Sequence, residues 1–213
     1  MPAYQEHKIT EASFAQIDRE IGPHSFTPAE YAVVRRIIHT TADFEFTQLV
    51  KFSHDPFTAA YTAFTTAPIL VTDVSMVAAG IATVGQKTWK PQINIAVKQP
   101  GCPPEQTRSA YGMRLCAMAS PQAVFIVGNA PTALLALCEG IRQKKWKPAL
   151  VVGVPVGFIN VVESKAALAQ LSVPHILVEG RKGGSAVAAA IANALMIGAW
   201  RQSSPKNNGR SDD

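Results

Sequence analysis

No stretch of this chain runs apolar for 18 residues, and its start, MPAYQEHKIT, lacks the apolar core of a secretion signal. A membrane-spanning or exported protein is not expected, and the reading is a soluble, cytoplasmic one. Cysteine is scarce. Cys102, Cys116 and Cys138 are odd in number, form no CxxC pair and match no zinc spacing, so reduced, packed thiols are expected. No two of the five histidines stand at metal-ligand spacing. The phosphate-loop pattern GxxxxGK(S/T) is missing and GxGxxG is absent from the first strand-to-helix turn, which speaks against a nucleotide site.

Charge is sparse too. Charged residues make up 16 % of the chain and hydrophobic ones 47 %, so 213 residues can bury a sizeable core in a single domain, placed at residues 1–200. The net charge is +5, yet the basic residues come in small groups: Arg35–Arg36, Arg142 with Lys144, Lys145 and Lys147, and Arg181–Lys182. None is long enough for a nucleic-acid arm, and no reading helix or stacking aromatics accompany them. Nucleic acid is therefore not an expected partner. The excess suits a small ligand with several carboxylates or phosphates.

What is present divides at about residue 66. Before it the pattern is mostly helical. TPAEYAVVRRIIHT opens with Thr27, Pro28 and Glu30 as a capping box, and Tyr31, Val34 and Ile38 recur on one face. FSHDPFTAAYTAF reads as a further helix entered through Asp55–Pro56. After residue 66 come five short β-branched runs, at 67–73, 93–97, 123–130, 148–156 and 175–180, separated mostly by helical patterns. They do not alternate with polar residues, as expected of strands covered on both faces. The predicted fold is a three-layer α/β/α domain with a mostly parallel sheet of about five strands behind an N-terminal helical segment. The polar segment 201–213 is read as a disordered tail.

In such sheets ligands bind beyond the carboxyl ends of the strands. Those ends carry Thr72–Asp73, GNAPT (128–132), GVPVGF (153–158) and GRKGGS (180–185). The last places Gly183, Gly184 and Ser185 at a helix start, with free N–H groups for an anion and Arg181 and Lys182 beside them. A capped helix with two solvated cations is the competing reading. Asp73 ends an apolar strand and is expected to cap the helix that follows. His39 sits near a helix C-terminus, one turn after Arg35 and Arg36. The helix end favours a protonated ring and the arginines oppose it, a balance suited to general acid or base work. A surface histidine with no role fits the same pattern.

Several segments together resemble one family. They are SFAQI (13–17), RRIIHTTADFEF (35–46), APILVTDVSMVAAGI (67–81), TRSA (107–110), VGNAPTAL (127–134), KPALVVGVPVGF (147–158), ESK (163–165) and GRKGGSAVAAAIANAL (180–195). In this order they resemble the precorrin-8X methylmutases (precorrin isomerases) of cobalamin biosynthesis and their cobalt-precorrin-8 counterparts, over about residues 10–198. The resemblance implies movement of a methyl group from C-11 to C-12 of a corrin precursor. It implies His39 as the acid/base residue, Ser13, Arg36 and Arg108 as substrate contacts, and a homodimer with sites near the subunit interface. It implies no redox cofactor, nucleotide or catalytic metal; cobalt, where present, belongs to the substrate. Where the family usually has glycine, this chain has Ala42, which suggests a slightly different helix exit. The substrate's acetate and propionate arms agree with the positive charge read above. A non-catalytic tetrapyrrole carrier would use the same features. A nucleotide-dependent oxidoreductase lacks its glycines.

Overall fold

The structure, a computed structural model, describes residues 4–66 and 68–203. The first helices are α1 (Lys8–Ile21), α2 (Pro28–Thr41), the single turn α3 (Phe46–Leu49) and α4 (Pro56–Thr65). Helix α2 starts as its sequence demands. The Thr27 hydroxyl accepts from Glu30 N–H at 3.3 Å, and the Glu30 carboxylate accepts from Thr27 N–H at 2.8 Å. Val33, Val34, Ile37 and Ile38 are buried to within 1 % of completely, each contributing about 1.5–3 kcal/mol by leaving water. That stripe fixes the rotation of α2. Tyr31, expected on the same face, lies at its edge and donates to Asp18 at 2.5 Å.

The five expected strands all form: β2 (Ile69–Thr72), β3 (Gln92–Ile95), β4 (Val124–Val127), β5 (Leu150–Gly153) and β6 (His175–Val178). The sheet nevertheless has six strands, because β1 (Val50–Phe52) pairs antiparallel with β6, Val50 opposite Val178. Three residues between helical stretches carry too little pattern to announce a strand. Their partner across the chain decides it, and Ser53 prolongs the pairing by donating its N–H to His175 C=O at 3.0 Å. The order is β1-β6-β5-β4-β2-β3, parallel from β6 to β3.

Helices α5 (Ser75–Lys87) and α9 (Ser185–Ser203) join α1, α2 and α4 on one face; α6 (Arg108–Ala119), α7 (Pro131–Arg142) and α8 (Val161–Ala169) cover the other. Alternate strand residues serve the two cores. Val124 and Ile126 point to the first, Phe125 and Val127 to the second. Cys116 and Cys138 are buried in the second core, and Cys102 is half-buried outside it; all three are free. Among the helices longer than one turn, α1 is the most lightly held, burying only Phe14 and Ile17. Arg201–Ser203 extend α9, whereas the rest of the expected tail, 204–213, lies outside the described residues. Among the described residues no helix is long and apolar enough to cross a membrane. From β2 the chain goes out to β3 and returns past β2 to β4, so the winding reverses between β2 and β4.

Candidate active site

The buried stripe of α2 leaves His39 exposed at the C-terminal end of the helix. Its ring meets the edge of Phe14 from α1, with centroids 5.3 Å apart and planes at 71°. The Arg35 guanidinium lies over the same ring at 4.4 Å and that of Arg36 at 5.4 Å. Phe14 thus gathers all three basic side chains. Each arginine is already matched by a carboxylate: Arg35 pairs with Asp18 at 2.9 Å, and Arg36 with Glu6. Ser13, next to Phe14, donates its hydroxyl to Ile9 C=O at 2.9 Å.

Helix α2 stops at Ala42, which takes the left-handed conformation (φ 54°, ψ 27°) and donates its N–H to Ile38 C=O at 2.7 Å. The helix therefore exits as a glycine would make it, not differently, and alanine carries the strain. Ala42→Gly should stabilise the fold by about 0.5–1 kcal/mol, the left-handed penalty less glycine's extra chain entropy. A denaturant titration with unchanged slope would measure it.

The turn after α2 is tied to the loop between β6 and α9. Lys182 Nζ contacts Asp43 at 2.6 Å and Glu45 at 2.5 Å, and its hydrogen bond holds the Asp43 carboxyl below its usual range. Residues 139 positions apart in sequence thus fix the GRKGGS loop beside the His39 turn. Arg181 stays exposed, over Phe158 at 5.6 Å. Gly183 has φ +150°, and a Cβ there would lie 2.3 Å from Val154 C=O, so only glycine lets the loop rest on the end of β5. Gly184 donates to the same carbonyl at 2.9 Å, and its own C=O accepts from Ala188 N–H to begin α9 just before Ser185.

Sequence reasoning passed over Lys165. It is 3 % exposed on α8, and Nζ donates to Gly180 C=O at 2.8 Å and Lys182 C=O at 2.6 Å. Burial pushes its ammonium down to about 8. The available signal was its place on the apolar face of α8, four residues after Val161 and three before Leu168, all buried.

At the reversal between β2 and β4, Asp73 is fully buried but does not cap α5, the helix that follows. Its carboxylate accepts from Gly128, Asn129 and Ala130 N–H at 3.0, 2.7 and 2.7 Å, so it clasps the turn into α7 from the neighbouring strand. Desolvation raises the Asp73 carboxyl despite these donors. Arg108 begins α6, near the end of β3, and donates to Val97 C=O at 2.7 Å. It does not join the His39 group: four strand spacings of about 4.8 Å, roughly 19 Å, separate β3 from β6.

Enclosure does not mark this site. A cavity of about 300 Å³ lies behind Arg35 and Arg36, among α1, α2, α4 and α9, without His39. A larger one of about 940 Å³ opens at the amino ends of the strands, by Thr62, Gln122 and Pro148. The carboxyl-end face instead exposes the apolar side chains of Phe158 (81 %), Ile159 (77 %) and Met76 (70 %), with the Arg181 guanidinium over Phe158.

Residues 8–197 match the precorrin-8X methylmutase family. The chain belongs to that family. It is 45 % identical over 212 residues to a cobalt-precorrin-8 methylmutase of Synechocystis, covering 92 % of this chain and 98 % of the relative. A precorrin-8X methylmutase of Sinorhizobium is 35 % identical over 206 residues, with the same coverages of 92 % and 98 %. The crystal structure of the Thermus thermophilus precorrin-8X methylmutase superposes with a TM-score of 0.85 at 40 % identity, covering 92 % of this chain and 99 % of that one. Membership of the precorrin-8X methylmutase family makes the chain an isomerase of cobalamin biosynthesis, one that shifts a methyl group, and sets aside the passive carrier.

Proposed function

We propose that the chain moves the methyl group from C-11 to C-12 of precorrin-8X or cobalt-precorrin-8, giving hydrogenobyrinate or cobyrinate, with His39 as general acid. The observation that carries this is His39 itself. It is an exposed imidazole held against Phe14, with no hydrogen bond to another described residue, next to the turn that Lys182 ties to the loop beyond β6. In this reading a flat macrocycle lies on the exposed apolar side chains at the carboxyl ends of the strands, within reach of the free imidazole. Protonation makes the conjugated ring electron-poor and lowers the barrier to migration; the proton then returns to the imidazole, so the formula is unchanged. A surface that fits the product's shape better than the substrate's supplies the rest.

The carboxylate arms meet Arg181 and the backbone N–H groups of Gly183 and Ser185 on one side and Arg108 on the other, with Ser13 and Arg36 near His39; Gly184, whose N–H is taken by Val154, shapes the loop instead. Lys182 we assign to locking the loop, since Asp43 and Glu45 already engage it. Arg108→Ala should weaken product binding, and by less at high salt, because an exposed contact is screened within roughly 8 Å at physiological ionic strength. Calorimetry at two salt concentrations would show it, and equal affinities would remove Arg108 from the site.

A homodimer is part of the same proposal. Val156 and Val162 expose further apolar surface before and within α8, which a second copy would cover. Sedimentation at micromolar concentration tests this. The function itself is tested by offering the purified protein both substrates and following the chromophore of the product. Conversion of neither would end the reading.

A further inference from the structure

We propose that Lys165 is a positioning residue for the methyl shift: it holds the loop between β6 and α9 so that the N–H groups of Arg181 and Gly183 face the substrate's carboxylate arms. The proposal rests on the function proposed above and adds a residue that does not itself touch substrate. Lys165 is a buried cation whose hydrogen-bond partners are the two carbonyls that bracket Arg181, and no carboxylate lies within ion-pair distance of it among the described residues. Burying an ammonium is costly, and a methionine of similar length would fill the space without that cost. What lysine adds is the pair of hydrogen bonds.

Those bonds orient the chain. In a trans peptide the C=O and the following N–H point in opposite directions. With the carbonyls of Gly180 and Lys182 drawn in to Nζ, the N–H groups of Arg181 and Gly183 are turned away from Lys165. Neither donates to any described residue. The back of the loop is also fixed at Val154, whose carbonyl receives Gly184 N–H at 2.9 Å and excludes any side chain at position 183. The result is two donors on alternate residues, the first of them on Arg181 with its exposed guanidinium, in front of a buried positive charge. That pattern fits a carboxylate.

The test is Lys165→Met in the full chain. We expect the variant to fold and kcat to stay within a few-fold of wild type, because the proton donor is elsewhere. KM should rise roughly tenfold or more, the effect of losing a well-aligned bond to a charged group. A purely structural lysine would lower the amount of active protein and leave KM alone. In parallel, the Arg181 and Gly183 amide signals of the wild type should shift when hydrogenobyrinate is added, which decides the matter even if the variant does not fold. Unchanged KM in a folded Lys165→Met, or amide signals that ignore the ligand, overturns the proposal. Wild type that converts neither substrate sinks the functional reading instead.

Discussion

His39→Ala should fold, bind the corrinoid product and lose nearly all turnover, by about 10²–10⁴-fold, the usual worth of a general acid. The side chain is exposed and makes no hydrogen bond to the described residues, so its removal costs the fold only the edge contact with Phe14. Such a contact is worth about 0.5–1.5 kcal/mol. The stripe Val33, Val34, Ile37 and Ile38 still anchors α2. Affinity should fall modestly, because the carboxylate arms are assigned to arginines and backbone N–H groups. Retention of more than about a tenth of the wild-type rate, far above what loss of a general acid leaves, would remove His39 from the chemistry.

The second large effect concerns Asp73. Asp73→Ala should destabilise the fold by about 3–5 kcal/mol, because three backbone N–H groups lose their common acceptor inside the protein. Asp73→Asn keeps the volume but turns an NH₂ group toward those donors, so it should recover only part of the loss. Denaturant unfolding of both variants measures this. An alanine variant within about 1 kcal/mol of wild type would mean that water replaces the carboxylate, contrary to its complete burial.

The layout was readable where one side of the chain decides it. Five strands and the long helices follow from apolar runs and periodicity, and the capping box of α2 is visible in Thr27 and Glu30. Where distant residues decide, the sequence is mute. Val50–Phe52 becomes a strand because Ile176–Val178 stands beside it, and Asp73 serves the turn of another strand. Lys182, read as a substrate cation, is engaged by Asp43 and Glu45, partners no local pattern shows. His39 was conspicuous for its neighbours Arg35 and Arg36, but only the three-dimensional arrangement reveals that Phe14 collects all three.

Helix α1 secures few of its residues in the core, Phe14 and Ile17, and is otherwise joined to α2 by polar and aromatic contacts such as Arg35 with Asp18. Opening free energy is set locally, by how much apolar surface a segment must give up. The helix that carries Ser13 should therefore open more readily than α2 and α9, which bury more apolar residues. In amide exchange α1 should lose protection before α2 and α9 do, through openings that leave the sheet intact. On the proposed function, a bulky macrocycle arriving beside His39 would meet one wall that yields cheaply and another that does not.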